Sequence, residues 1–472
     1  MKFDYQMINL LQKKIKSNHP YYPLSFITNK NISQMRKKIL MLIAPTLVAL
    51  TAFAQPRPDL SGIDSLFRLL EQHNKFMGAA AMIENGEIIF HQAYGYADEA
   101  AKVKADAGTV YRIGSVTKTF TAVMVLQLVD EGKLRLNDKL EKYFPGLEGG
   151  QQITIEHLLR HRSGLYSLTS DSAYLNYYTQ PQTRQEMFGR MMKHGLQFAP
   201  GEKMDYSNTN YILLGWLVED LSGKTYAELL QQKIAKPLGL THTFAMQAER
   251  GFAATSYQWE GDRWKPEPFT HMSVPGGAGH MYSTAEELLR FYHALFSGKL
   301  ISAAALKQMT TLTDMFGMGL FAMPFYEHQG LGHTGGIDGF RTVAIYFPDE
   351  KVGVSVCSNA LNYNQNEILI GMLSRYFGKP WQMPVIEHID VDESLLDGYA
   401  GTYTAEGFPL KLTIRHRNGK LFGQGTGQPE FPLEARSGDT FVFENAGISI
   451  TFKDGKLHLK QGAVKLEMSR EE

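Results

Sequence analysis

Gly114-Ser115-Val116-Thr117-Lys118 opens a run, Thr119-Phe120-Thr121-Ala122-Val123-Met124-Val125-Leu126-Gln127-Leu128-Val129-Asp130, with apolar side chains on nearly every side of a helix. A helix that is apolar all round lies inside a protein, not on its surface. Residues 117–130 therefore predict a buried central helix, with Gly132 close behind as its stop. Ser115 falls in the first turn. Lys118, three residues on, shares its face, with the amine within reach of the hydroxyl. A serine hydroxyl is a poor nucleophile until a base takes its proton. A lysine in an apolar pocket loses part of its preference for the charged form and can be that base, and free N–H groups at the helix start can bind a developing oxyanion. The pattern Ser-x-x-Lys alone is weak, arising roughly once or twice by chance in a chain this long. The bland alternative is a capping serine and a surface lysine, but the apolar run after Lys118 leaves it no open face.

Outward from this helix, strands lie on both sides. Residues 79–83 and 87–93 flank Asn85-Gly86, a type I′ turn signal. Far downstream, residues 340–347 and 352–358 flank Pro348-Asp349-Glu350-Lys351 as a second hairpin. Between the hairpins the text is mainly helical. Residues 208–221 are periodic and stop at Gly223, and Ser283 with Glu286 reads as a capping box ahead of another helix. Residues 59–74 also carry a helical pattern, with Ile63, Leu66, Phe67 and Leu70 on one face. Strands at both ends with helices between predict an α+β domain, an antiparallel sheet flanked by helices and carrying a helical insertion. Beyond Gly378-Lys379-Pro380 the texture changes to short alternating segments, such as Leu410-Lys411-Leu412-Thr413-Ile414, with Asn418-Gly419 and Asp454-Gly455 as turns. That predicts a small all-β barrel or sandwich.

The chain has 472 residues, 43% apolar and 20% charged, with 48 basic and 48 acidic side chains. The balance offers no basic footprint for nucleic acid. Arg36-Lys37-Lys38, an apolar run over 39–50 and Ala52-Phe53-Ala54 read as a secretory signal peptide. Met35 at its head marks residues 1–34 as a misread upstream start, and without a following cysteine no lipid anchor is indicated. Residues 1–54 hold eight Lys/Arg and one acid, so their removal leaves 40 basic against 47 acidic residues. The expected divisions are 1–54 as signal peptide, 55–380 as the main domain and 390–472 as the β domain. The expected location is secreted and periplasmic, with no stable membrane anchor after cleavage. Cys357, the single cysteine, lies in an apolar strand and reads as a core thiol, which excludes a disulfide framework.

Two further motifs stand apart from structure-forming text. Tyr206-Ser207-Asn208 follows a Pro200-Gly201 turn and precedes a helix; Ser207 or Asn208 serves equally as an N-cap. Gly332-His333-Thr334-Gly335-Gly336 leads into the second hairpin, where the glycines permit close backbone approach to a ligand. His157 and His161 are four apart, but no third ligand is evident, so they read as a polar helix face and no metal is expected. Trp259 and Trp264 bracket a hairpin over the helical insertion, where cross-strand packing is the expected role. His271 and His280 carry no assigned role.

Together and in this order, Ser115-x-x-Lys118, Tyr206-x-Asn208 and His333-Thr334-Gly335 resemble the three-element signature of the serine β-lactamase and penicillin-binding-protein superfamily. The Tyr-x-Asn form resembles its class C β-lactamase, D,D-peptidase and family VIII esterase branch. So do Leu158-Leu159-Arg160-His161-Arg162-Ser163-Gly164-Leu165 and Gly276-Gly277-Ala278-Gly279. The resemblance spans residues 58–375. It implies Ser115 as the acylated nucleophile, Lys118 and Tyr206 as a coupled base, and Asn208 as holder of the acyl portion. It places the oxyanion hole at the N–H groups of Ser115 and Gly336, with Thr334 and Gly335 beside the substrate. Tyr166, just after Ser163-Gly164-Leu165, is expected to line the acyl pocket. His333 departs from the lysine that β-lactamases usually carry and offers little fixed charge at neutral pH. The resemblance thus implies a cofactor-free serine hydrolase acting on small esters, amides or peptides (esterase, D-amino-acid peptidase or amidase, or D,D-carboxypeptidase), with weak β-lactamase activity at most. An acyltransferase using the same acyl-enzyme and a non-catalytic peptidoglycan- or peptide-binding scaffold are the alternatives. The C-terminal part resembles the lipocalin-like domains appended to some relatives, a candidate surface for homo-oligomers.

Overall fold

Asn85 and Gly86 take φ values of 51° and 90°, the two positive values that a type I′ turn demands, and they fold β1 (Phe76–Glu84) back on β2 (Glu87–Tyr94). The computed structural model describes residues 59–245, 253–260, 263–386, 389, 391–428, 430–462 and 464–471; the signal-peptide reading of residues 1–54 lies outside them. Four more strands complete the core of the main sheet: β3 (Phe321–Ala322), β4 (Leu331–Ile337), β5 (Phe340–Phe347) and β6 (Val352–Leu361). Their order is β3-β4-β5-β6-β1-β2, antiparallel throughout. The two hairpins therefore meet at the centre, where β1 pairs with β6 from Phe76↔Leu361 to Glu84↔Val352.

Each face of the sheet buries a different set of helices. Ala80, Met82, Val343, Ile345, Val354 and Val356 pack on α1 (Ser61–Gln72) and α5 (Gln365–Phe377). Ala79, Ala81, Ile83, Ala344, Tyr346 and Cys357 face the helical insertion, which holds α2 (Thr117–Asp130), α3 (Asn208–Ser222) and α4 (Ala285–Phe296). Cys357 is fully buried, as its apolar strand required. Helix α2 has the bounds its sequence predicts and buries Lys118 through Leu126 without a break; Gly223 ends α3 at φ 66°. The cap of α4 differs from expectation. Thr284, not Ser283, accepts the N–H of Glu287. Ser283 ends a short strand and its hydroxyl meets that of Thr243, 2.8 Å away, so it is spent on sheet contacts. Trp259 and Trp264 face each other across two short strands with centroids 4.9 Å apart. That hairpin joins the end of β6 through Ala360↔Tyr257, and so extends the sheet instead of covering the insertion.

The C-terminal domain is a closed barrel of eight strands: β7 (Gly401–Thr404), β8 (Leu412–Arg417), β9 (Lys420–Gly425), β10 (Phe431–Ala435), β11 (Thr440–Phe443), β12 (Ile448–Lys453), β13 (Lys456–Gln461) and β14 (Val464–Arg470). Each pairs with the next, and β14 returns to β7 at Tyr403↔Arg470. Leu412, Ile414, Leu421, Phe441, Ile450, Leu457 and Met468 pack together in its core, as expected of a barrel just wide enough to be filled by its own side chains. Buried Lys75, at the start of the main sheet, pairs with Glu434 of the barrel, and Asn362 Nδ2 donates to the same carboxylate at 3.1 Å. Among the described residues, no helix is long and apolar enough to cross a membrane.

Candidate active site

Ser115 sits in a single 3-10 turn, Gly114–Val116, that runs straight into α2. Lys118 lies one turn further, and its Nζ is 2.9 Å from Ser115 Oγ. The amine is wholly buried and donates to the carbonyl oxygen of Ala278 at 2.8 Å. Burial alone holds its pKa well below the ordinary lysine range, and among the described residues no carboxylate pairs with it. An amine without a counter-ion in an apolar surround favours the neutral form. Its lone pair can then accept the serine hydrogen. Gly276–Ala278 forms the 3-10 turn that brings in this carbonyl. The sequence offered the glycine run only as a resemblance; nothing in it assigns the Ala278 main chain to Lys118.

Tyr206 lies just ahead of α3 and approaches the same amine: Lys118 Nζ is 4.9 Å from its ring centroid. The Tyr206 ring stacks on His161 with centroids 4.3 Å apart and 26° between planes. It lies 6.2 Å from the His333 ring, which in turn contacts Phe321 at 4.6 Å. Ser207 occupies the N-cap position of α3, yet its hydroxyl caps nothing and is buried without a partner among the described residues. Its N–H donates to His161 Nδ1 at 3.1 Å. Asn208 opens the helix. Its main-chain N–H donates to Ser167 Oγ at 3.1 Å and its Nδ2 to Thr169 Oγ1 at 2.8 Å.

Strand β4 closes the other side. A Cβ at Gly335 would fall 2.0 Å from the Ile113 carbonyl oxygen and 3.1 Å from Ser115 N; one at Gly114, whose φ is 49°, would fall 2.9 Å from Gly336 N. Glycine at both places lets the strand and the serine turn lie backbone against backbone. His333 is buried and its Nδ1 donates to the Thr334 carbonyl. Burial, aided by nearby Lys118, pushes its pKa down to about 3, so the ring is neutral at pH 7. Its donor is committed to its own backbone, leaving Nε2 as an acceptor. Thr334 and Gly336 are partly exposed beside it.

The structure thus gathers Ser115, Lys118, Tyr206, His333, Gly335 and Gly336 around one point. The Tyr166 ring stacks on His194 at 4.2 Å, and its carbonyl accepts from Oγ1 of Thr209, the residue after Asn208. His157 is tied into a capping box with Thr154, and among the described residues no cluster of His, Cys, Asp and Glu is placed to hold a metal. His161, read from sequence as part of a polar helix face, lies instead beyond the short helix Ile155–Leu159 and against Tyr206.

Comparison with known proteins gives the family and the fold. A family model described as Beta-lactamase matches residues 63–375. The teichoic acid D-alanine hydrolase of Staphylococcus aureus is 28% identical over 292 residues, which are 60% of this chain and 70% of that one. The octameric penicillin-binding protein homologue from Pyrococcus abyssi superimposes with a TM-score of 0.63 at 25% identity, covering 87% of this chain and all of the other. The D-amino acid amidase from Ochrobactrum anthropi SV3 does so with a TM-score of 0.59 at 25% identity, over 67% of this chain and 98% of the amidase.

Proposed function

Because this chain belongs to the β-lactamase family, and so to a superfamily of hydrolase-type proteins, we propose that it is a serine hydrolase that cleaves esters or amides through an acyl-enzyme on Ser115. The observation that carries this reading is the contact of 2.9 Å between Ser115 Oγ and a fully buried Lys118 that lacks a counter-ion among the described residues.

In the acylation step, Lys118 Nζ accepts the hydroxyl proton as Oγ attacks the substrate carbonyl. The tetrahedral oxyanion lies against the N–H groups of Ser115 and Gly336. Donors so placed contribute about 3–4 kcal/mol each. The proton then passes by way of Tyr206, beside the amine, to the leaving group, and water reverses the sequence to release the acyl group. Lys118 and Tyr206 act as one coupled proton carrier. Asn208 holds the acyl portion.

The neutral His333 favours substrates that need no fixed cation at that position. This supports esterase or D-amino-acid amidase and peptidase chemistry over efficient β-lactam hydrolysis, while the Tyr206-x-Asn208 form supports the class C, D,D-peptidase and family VIII branch over the rest of the superfamily. The D-alanine hydrolase and D-amino acid amidase among its relatives point to D-configured acyl groups. Purified protein is expected to hydrolyse short p-nitrophenyl esters and D-amino-acid amides, to turn over nitrocefin slowly or not at all, and to be labelled at Ser115 by a fluorophosphonate. Wild-type turnover by Ser115→Ala would refute the assignment. Secretion into the periplasm after cleavage near Gln55 completes the reading, tested by the N-terminal sequence of the mature protein. The octameric relative supports a homo-oligomer; the barrel is the surface we assign to it, tested by the solution mass with and without residues 390–472.

A further inference from the structure

His161 touches the Tyr206 segment at three points. The main-chain N–H of Asp205 donates to the His161 carbonyl at 2.9 Å. The N–H of Ser207 donates to His161 Nδ1 at 3.1 Å. Between these two bonds, the Tyr206 ring stacks on the imidazole at 4.3 Å. The residues before and after Tyr206 are therefore both tied to the one residue whose ring its own ring covers.

The imidazole is itself over-determined. Asn210 Nδ2 lies 3.4 Å from the same Nδ1, and Asn210 Oδ1 accepts from Ser163 Oγ at 2.6 Å. His161 is buried, and burial first, then the nearby Lys118, holds its pKa well below the usual histidine value. A neutral ring that accepts at Nδ1 carries its hydrogen on Nε2. Its backbone stands at φ 55°, a left-handed conformation uncommon for a side-chain-bearing residue and costing of order 1 kcal/mol or more. Such a cost persists where the surroundings impose it, and here it turns the His161 carbonyl and ring toward the same three-residue segment.

We propose that His161 is the positioning residue of the proton path: it sets the plane and depth of the Tyr206 phenol relative to Lys118 and Ser115, and takes no proton itself. The inference rests on the reading of Tyr206 as a proton carrier. Loss of the ring removes the surface on which the phenol stacks, and a displacement of about 1 Å in such a group costs up to about a hundredfold in rate.

The test is His161→Asn. Asparagine tolerates the left-handed backbone and its Oδ1 can replace Nδ1 as acceptor for Ser207, while the stacked ring is lost. With p-nitrophenyl butyrate as substrate, kcat is expected to fall roughly 10- to 100-fold with KM changed less than about threefold, and the melting temperature is expected to stay close to wild type. If that variant does not fold, His161→Gln, which also keeps an amide oxygen, is read in the same way. Tyr206→Phe and the double variant complete a cycle. If His161 acts through the phenol, adding His161→Asn to Tyr206→Phe slows the enzyme no further. Losses that multiply, or a His161→Asn enzyme with wild-type kcat beside an impaired Tyr206→Phe, would overturn the inference and leave the serine-hydrolase reading intact. A fully active Tyr206→Phe would overturn the proton path and this inference with it.

Discussion

Replacing Lys118 by methionine separates the two things that buried amine does. The side chains have similar length, and Lys118 is wholly buried, so Lys118→Met keeps the volume of the site and removes the base. Without a general base, acylation of Ser115 is expected to slow by about 10²–10⁴-fold. Stability should move little or rise. The loss is the hydrogen bond to the Ala278 carbonyl, about 1–3 kcal/mol if that oxygen is left unpaired. The gain is release from desolvating an amine. In the unfolded chain a lysine binds its proton below about 10.5, whereas burial lowers its folded pKa well below that. Between the two values the unfolded state holds more protons, so wild-type stability increases with pH by up to about 1.4 kcal/mol per pH unit from this group. Below the folded value the whole penalty is present; above 10.5 it is gone. Lys118→Met should therefore flatten the dependence of stability on pH by as much as one proton across that window. The assay is urea denaturation from pH 6 to 10 on both proteins, beside single-turnover labelling by a fluorophosphonate. Wild-type labelling rate by the variant would show that Lys118 is not the base, and an unchanged slope of stability against pH would show that burial does not lower its pKa.

Other consequences are as direct. Gly335→Ala would place a methyl group 2.0 Å from the Ile113 carbonyl; the strand must move off the serine turn, and kcat/KM for ester hydrolysis is expected to drop about 10²–10³-fold as an oxyanion donor is misplaced. His333 and His280 are both buried, with pKa values pushed down to about 3. Each is neutral when folded and charged when unfolded between about 3 and 6.5, so stability falls with falling pH through that range by about 1.4 kcal/mol per unit per residue, and neither ring should titrate by NMR between pH 5 and 9. Glu434→Ala would strand the buried Lys75 amine; with the Glu434 side chain 32% exposed, the cost is about 2 kcal/mol, below that of a fully buried pair. Limited proteolysis should then release the barrel faster while ester hydrolysis by the main domain continues.

Local text decided the elements of this protein. Asn85-Gly86, Asn418-Gly419 and Asp454-Gly455 fix their turns because both positions adopt positive φ at little cost, and the apolar run of α2 could only be buried. Helix spacing likewise placed Lys118 over Ser115 before any fold was known. Other features depended on chain segments that meet only in the folded protein. Ala278 reaches Lys118 from 160 residues away, and a main-chain carbonyl leaves no mark in a side-chain pattern. His161 looked like one of a pair on a helix because the sequence does not reveal a left-handed backbone angle. Ser283 and Thr284 were equally good caps until pairing of the strand Met281–Ser283 took the first. Barrel and sandwich share one alternation of inward and outward side chains; closure of β14 on β7 selected the barrel, because which edges pair depends on sheet curvature, which the alternation leaves unspecified.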